Sequence, residues 1–95
     1  MHVGSPVAHP ERVRETLAGL RRTFAVVTPY LTAVPLYGGA WMMACCSASL
    51  DPRALQASDV DLRIAQRGIG DLQFINGDTY RAVLALPNYV QPLAR

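Results

Sequence analysis

From Ala25 to Leu50 the chain carries no charged residue, and that run restricts the fold more than any other feature. It passes the length of roughly 20 apolar residues that a membrane-spanning helix requires. Yet Pro29, Pro35 and the Gly38-Gly39 pair interrupt it, and Thr28, Thr32, Ser47 and Ser49 add hydroxyls along it. Proline inside a helix removes a hydrogen bond and clashes with the preceding turn, while paired glycines favour a reversal. The run therefore reads as two buried strands rather than a membrane span. Ala25 to Tyr37, rich in Val, Thr, Tyr and Leu, is the first. Pro29 cannot donate to a ladder, which places this strand at a sheet edge. Gly38-Gly39 supplies a tight reversal, and Ala40 to Ala48 is apolar on both faces, as an interior strand covered on each side must be.

Ahead of this hairpin, Val13, Leu17, Leu20 and Phe24 recur at steps of four, three and four, which predicts a helix over Pro10 to Phe24. Pro10 suits its first position and Glu11 its positive end. Beyond the hairpin, Asp51-Pro52 starts a short turn through Leu55. Ser58 is the expected N-cap of a helix from Asp59 to Arg67, closed by Gly68. Asp71 to Ile75 reads as extended and Asn76-Gly77 as a turn. Asp78 or Thr79 is then the expected cap of a helix through Leu86 that stops before Pro87. An interior strand needs a neighbour on each side, and outside the hairpin only Met1 to Gly4 is left to supply one.

Ninety-five residues allow one small domain, which buries only roughly 60 to 65% of its unfolded surface. With 51% hydrophobic and 17% charged residues the chain is no disordered tail. All nine basic residues are Arg, and seven acidic residues leave a net charge of +2, too small for a nucleic-acid partner. Arg12, Arg14, Arg21 and Arg22 follow helical spacing and read as a solvated face. The two cysteines, Cys45 and Cys46, are adjacent. In a strand they point to opposite faces, which excludes a mutual disulfide and lacks metal-ligand spacing. A reducing, cytoplasmic setting is expected, since the start through His2, Gly4, Pro6 and Pro10 has neither the basic opening nor the apolar core of a signal peptide.

The motifs of common catalytic sites are missing. Gly68 and Gly70 match only the first spacing of a dinucleotide-binding loop and follow a predicted helix rather than a strand. There is no phosphate-binding loop and no Gly-x-Ser-x-Gly turn. His2 and His9 are the only histidines, so no metal or cofactor is expected. His2 and Tyr37 lie at strand ends, where open α/β sheets place their ligands, although packing roles account for both on composition alone.

Two segments carry a resemblance. Val34-Pro35-Leu36-Tyr37-Gly38-Gly39-Ala40-Trp41 is similar to the Pro-Thr-Tyr, Gly-Gly and Trp-or-Met segment of the spermidine synthases, the polyamine aminopropyltransferases. About forty residues on, Phe74-Ile75-Asn76-Gly77-Asp78-Thr79-Tyr80-Arg81-Ala82 and Leu84-Ala85-Leu86-Pro87-Asn88-Tyr89 resemble that family's closing pattern, with Tyr80 where His is usual. His2-Val3-Gly4-Ser5-Pro6-Val7 resembles the end of its fifth strand, with His2 in place of Gln. The resemblance covers all 95 residues but only the family's C-terminal third.

The resemblance implies a fold class of α/β: the C-terminal part of a methyltransferase-like, Rossmann-type sheet, with a helix, an antiparallel strand hairpin and further helices. Residues 1–95 then form one truncated C-terminal part of the catalytic domain, with Met1 to Gly4 the end of its fifth strand and the last strand inserted antiparallel beside it. It implies transfer of an aminopropyl group from decarboxylated S-adenosylmethionine to putrescine, giving spermidine. Tyr37 and His2 are the implied diamine-binding residues. His for Gln keeps a hydrogen-bonding group and adds a group that can carry positive charge. The catalytic Asp, the glycine-rich donor loop and the ribose-binding acid fall in family segments with no counterpart here, so the chain is expected to be inactive alone. Family members are usually homo-oligomers. The alternatives are a non-enzymatic small α/β partner-binding module and a decayed gene remnant.

Overall fold

The computed structural model describes residues 1–94. Its framework is a three-stranded antiparallel sheet of β1 (His2–Gly4), β2 (Val26–Val34) and β3 (Gly39–Ser47) in the order β1-β3-β2. The strand that is apolar on both faces is thus the central one, and Pro29 lies on an edge strand. Met1 to Gly4 supplies the second neighbour, as the sequence requires.

The ladder explains how Pro29 is tolerated. Pro29 stands opposite Ala44, and both backbone groups of Ala44 turn the other way. The Ala44 N–H donates to the Met1 carbonyl at 2.9 Å and its carbonyl accepts from the Met1 nitrogen at 2.7 Å. Backbone groups alternate in direction along an antiparallel strand, so Pro29 faces outward, where a missing N–H breaks no bond within the sheet. Its ring is buried.

Side-chain alternation sorts the sheet into two faces. Met42 and Ala44 of β3, with Val3 of β1, meet Val13 and Leu17 of helix α1 (Pro10–Thr23), closed by Val90 and Leu93 from the C-terminal segment. Val13, Leu17, Met42 and Val90 have no exposed surface. Each such side chain contributes roughly 1.5–3 kcal/mol through burial. Pro10 opens α1, Glu11 lies in its first turn and Arg21 and Arg22 in its last, as the helix dipole favours. All four arginines of the polar face are exposed, and the Arg21 guanidinium donates to the Ala94 carbonyl. Phe24 lies just past the helix end and is partly exposed. Cys45 and Cys46 take opposite faces, one exposed and one half-buried, and both are free.

Five local expectations are corrected. The first strand stops at Val34, and Pro35–Tyr37 forms a 3-10 turn before the glycines. Gly38 and Gly39 have φ of 85° and 139°, the region that favours glycine. Helix α2 (Ala57–Gln66) begins after Gln56 and not after Ser58, because the Asp59 carboxylate accepts from the Gln56 N–H at 2.9 Å, the returning half of a capping box. Asp71 to Ile75 forms no strand. Asn76 caps helix α3 (Gly77–Leu84), its side chain accepting from the Thr79 N–H at 2.9 Å while the Thr79 hydroxyl accepts from the Asn76 N–H at 2.8 Å. Asn76-Gly77 is thus a helix start. Gly77 is buried against α2, where an added Cβ would lie 2.1 Å from the Ala57 carbonyl oxygen. α3 ends at Leu84 instead of Leu86, short of Pro87.

Among the described residues no helix is long and apolar enough to cross a membrane. The uncharged run is the β2–β3 hairpin.

Candidate functional site

The two residues singled out from the sequence come together at one end of the sheet. His2 opens β1 opposite Met43, which places its side chain on the face away from α1. Tyr37 ends the 3-10 turn that joins β2 to β3. Their ring centroids are 6.2 Å apart at an interplanar angle of 63°, an edge-on approach of aromatic rings. Only the pairing of β1 with β3 brings residue 2 to residue 37. Both side chains are exposed, so they are available to a ligand.

Trp41 completes the cluster, and sequence reasoning gave it no role beyond the apolar run and the motif. Its ring lies 4.6 Å from Tyr37 and 6.4 Å from His2. Alternation along β3 from Met43 directs it to the His2 face, a signal that becomes usable once the register is known. The indole Nε1 is buried and has no hydrogen-bond partner, although a buried indole N–H ordinarily finds one.

An open groove of 450 Å³ runs from Tyr37, Gly38 and Trp41 past Ser5 to His9 and Arg12 at the start of α1. Arg12 read as part of a solvated face in the sequence, and it does lie exposed. Its place beside the hairpin turn follows from packing that no local pattern reports.

A second, more apolar cleft of 320 Å³ lies between the hairpin and α3, lined by Tyr30, Cys45, Ile75, Tyr80, Val83 and Leu84. Burial raises the pKa of the Tyr30 phenol above its ordinary value, and the Cys45 thiolate adds to the shift. The Tyr80 hydroxyl donates to the Pro52 carbonyl at 2.8 Å. Tyr80 therefore ties α3 to the preceding loop. Among the described residues no group of three or more His, Cys, Asp or Glu could hold a metal ion.

A helix on one face of a sheet whose central strand runs antiparallel between two neighbours, with an aromatic site at the sheet's end, defines the C-terminal part of a methyltransferase-like α/β fold. Comparison with solved structures agrees. The spermidine synthase of Thermotoga maritima matches over 98% of this chain and 31% of its own, with a TM-score of 0.77 at 21% identity. A spermidine synthase in complex with the transition-state analogue AdoDATO matches equally well, at a TM-score of 0.77. No protein-family model matches the chain.

Sequence relatives narrow the class. The polyamine aminopropyltransferase of Nitrosomonas europaea is 45% identical over 93 residues, which is 98% of this chain and 29% of that protein. Polyamine aminopropyltransferase 2 of Hyperthermus butylicus is 39% identical over 79% of this chain, and the Pyrobaculum arsenaticum enzyme 34% identical over 90%. The chain belongs to the polyamine aminopropyltransferase family and spans under a third of the length of these relatives. That likeness favours a partial spermidine-synthase-like chain over an unrelated partner-binding module.

Proposed function

We propose that this chain forms the acceptor side of an aminopropyltransferase site, with Tyr37 and His2 holding a putrescine-like diamine, and that residues 1–95 are one C-terminal part of the catalytic domain. The carrying observation is the convergence of His2 and Tyr37, 6.2 Å apart, from elements 35 positions apart in sequence. Aromatic faces attract an ammonium group, while the phenol and the imidazole can each accept a hydrogen bond from an amine. One end of the diamine is thereby fixed with its other nitrogen free to react.

In the reaction the lone pair of a neutral amine attacks the methylene carbon beside the sulfonium of decarboxylated S-adenosylmethionine. A C–N bond forms, the C–S bond breaks and its electron pair returns to sulfur, leaving a neutral thioether. The amine proton passes to a general base. The positive charge makes sulfur a good leaving group, so alignment of two cations is the main demand on the protein. The donor loop and the aspartate base of the family pattern have no match in this chain, and the reading therefore makes it inactive alone. Cytoplasmic location and homo-oligomeric assembly follow the family pattern and are part of the same proposal.

The test is complementation. The chain is mixed with the part of the Nitrosomonas europaea relative that it does not match, and aminopropyl transfer from decarboxylated S-adenosylmethionine to putrescine is measured. Activity is expected in the mixture and absent from either part. Tyr37→Phe should raise the KM for putrescine about tenfold, the effect of losing one or two hydrogen bonds to a charged group. A complex that forms without turnover, or a Tyr37→Phe mixture with unchanged KM, overturns the reading.

A further inference from the structure

Tyr37 draws little support from its own segment. It ends a 3-10 turn that one backbone bond closes, the Gly38 N–H donating to the Pro35 carbonyl at 3.2 Å. Leu36, beside it, is 90% exposed. A Cβ on Gly38 or Gly39 would meet nothing within 4 Å beyond its chain neighbours, so the turn has no packing around it to fix the phenol. Trp41 is held where Tyr37 is not. It stands opposite Thr32 in the ladder of the central strand, it is half-buried, and its Nε1 is closed off from solvent. The Tyr37 ring lies 4.6 Å from the indole at an angle of 50°, within the roughly 4.5–7 Å over which aromatic rings attract. The exposed His2 ring is farther away, at 6.2 Å.

We propose that Trp41 is a positioning residue, whose indole holds the Tyr37 ring so that the phenol hydroxyl is in place before the acceptor amine arrives. The proposal rests on the acceptor-site reading above and adds to it the group that orients Tyr37. Without the indole the phenol swings with its turn, and the diamine has to immobilise it on binding. Ordering one such side chain weakens association by about three- to tenfold. Trp41 needs no contact with the diamine and takes no part in the transfer. Its loss therefore raises KM and leaves kcat as it was, the mark of an interaction made equally in the ground and transition states.

Two measurements on Trp41→Leu test this, with Trp41→Phe as the variant that keeps a ring. The 95-residue chain contains four tyrosines, and in a chain labelled with fluorotyrosine the resonance lost in Tyr37→Phe belongs to Tyr37. In Trp41→Leu that resonance should move toward the position of free fluorotyrosine as the ring current of the indole disappears, while the other three stay in place and show the fold intact. Should Trp41→Leu displace those as well, Trp41→Phe carries the test, with a smaller move in the same direction. In the complementation mixture Trp41→Leu should raise the KM for putrescine about three- to tenfold with kcat unchanged, and Trp41→Phe should recover most of the loss. Added to Tyr37→Phe, Trp41→Leu should cost less than about twofold more, because the hydroxyl that it places is already gone. An unmoved Tyr37 resonance, an unchanged KM or effects that multiply in the double variant overturn this inference, while a raised KM in Tyr37→Phe leaves the acceptor site standing. A mixture without turnover, or one whose KM ignores Tyr37→Phe, overturns both.

Discussion

Gly77 is a position where one methyl group decides how two helices meet. Its N–H donates to the Asp61 carboxylate at 2.7 Å, and a Cβ there would lie 2.1 Å from the backbone oxygen of Ala57, which cannot swing aside as a side chain could. Gly77→Ala must part α3 from α2, and chemical denaturation should record a loss of about 1–3 kcal/mol, the usual range for overpacking. An unchanged midpoint would show that the contact is not rigid. Tyr30 gives a test in pH. Burial, then the Cys45 thiolate, raises its pKa above 10.0, so the folded state favours the protonated phenol more than the unfolded state does. The resulting stabilisation is complete below pH 10 and is lost as pH rises through the folded-state value. Tyr30→Phe should therefore lose less stability than the parent chain on going from about pH 9 to pH 11. Parallel curves for the two proteins would refute the assignment.

Among the elements, those set by periodicity were legible and those set by capping or packing were not. α1 appears where the steps from Val13 to Phe24 put it, since an apolar stripe of that period suits only a helix lying on a sheet. The hairpin was legible because Pro29 and the glycine pair exclude a helix. Its turn was misplaced, since Pro35 and Leu36 are as compatible with a strand as with the 3-10 turn they form. The start of α2 was missed because Gln56 is a weaker cap signal than Ser58, and the Asp59 side chain that selects it acts backward along the chain. Asn76-Gly77 is an ordinary hairpin signal, and only the closeness of Ala57 shows what the glycine is for. At the site, His2 and Tyr37 were found through motif likeness, whereas Trp41 and Arg12 required the register of β3 and the placement of α1. The edge strand supplies its own test. Pro29→Val adds an outward N–H to β2, and light scattering should show faster association of the variant at equal concentration. Identical scattering would mean that the proline does not guard this edge.

The whole molecule is thin, with extents of 40 × 31 × 21 Å and a radius of gyration of 14.3 Å against about 12.4 Å for a compact chain of this length. Its accessible surface is 6294 Å², where a self-contained chain of this mass exposes about 5,400 Å². The excess is close to the roughly 800 Å² that one partner contributes to a standard interface. Leu36 is 90% exposed, and Val7, Leu50 and Phe74 each more than 65%. Much of the surface therefore suits contact with other protein. The outward proline of β2 limits the form that such contact takes. With Pro29 in the outward row, β2 closes this end of the sheet, and a further strand has an unbroken row of backbone partners only on the β1 side.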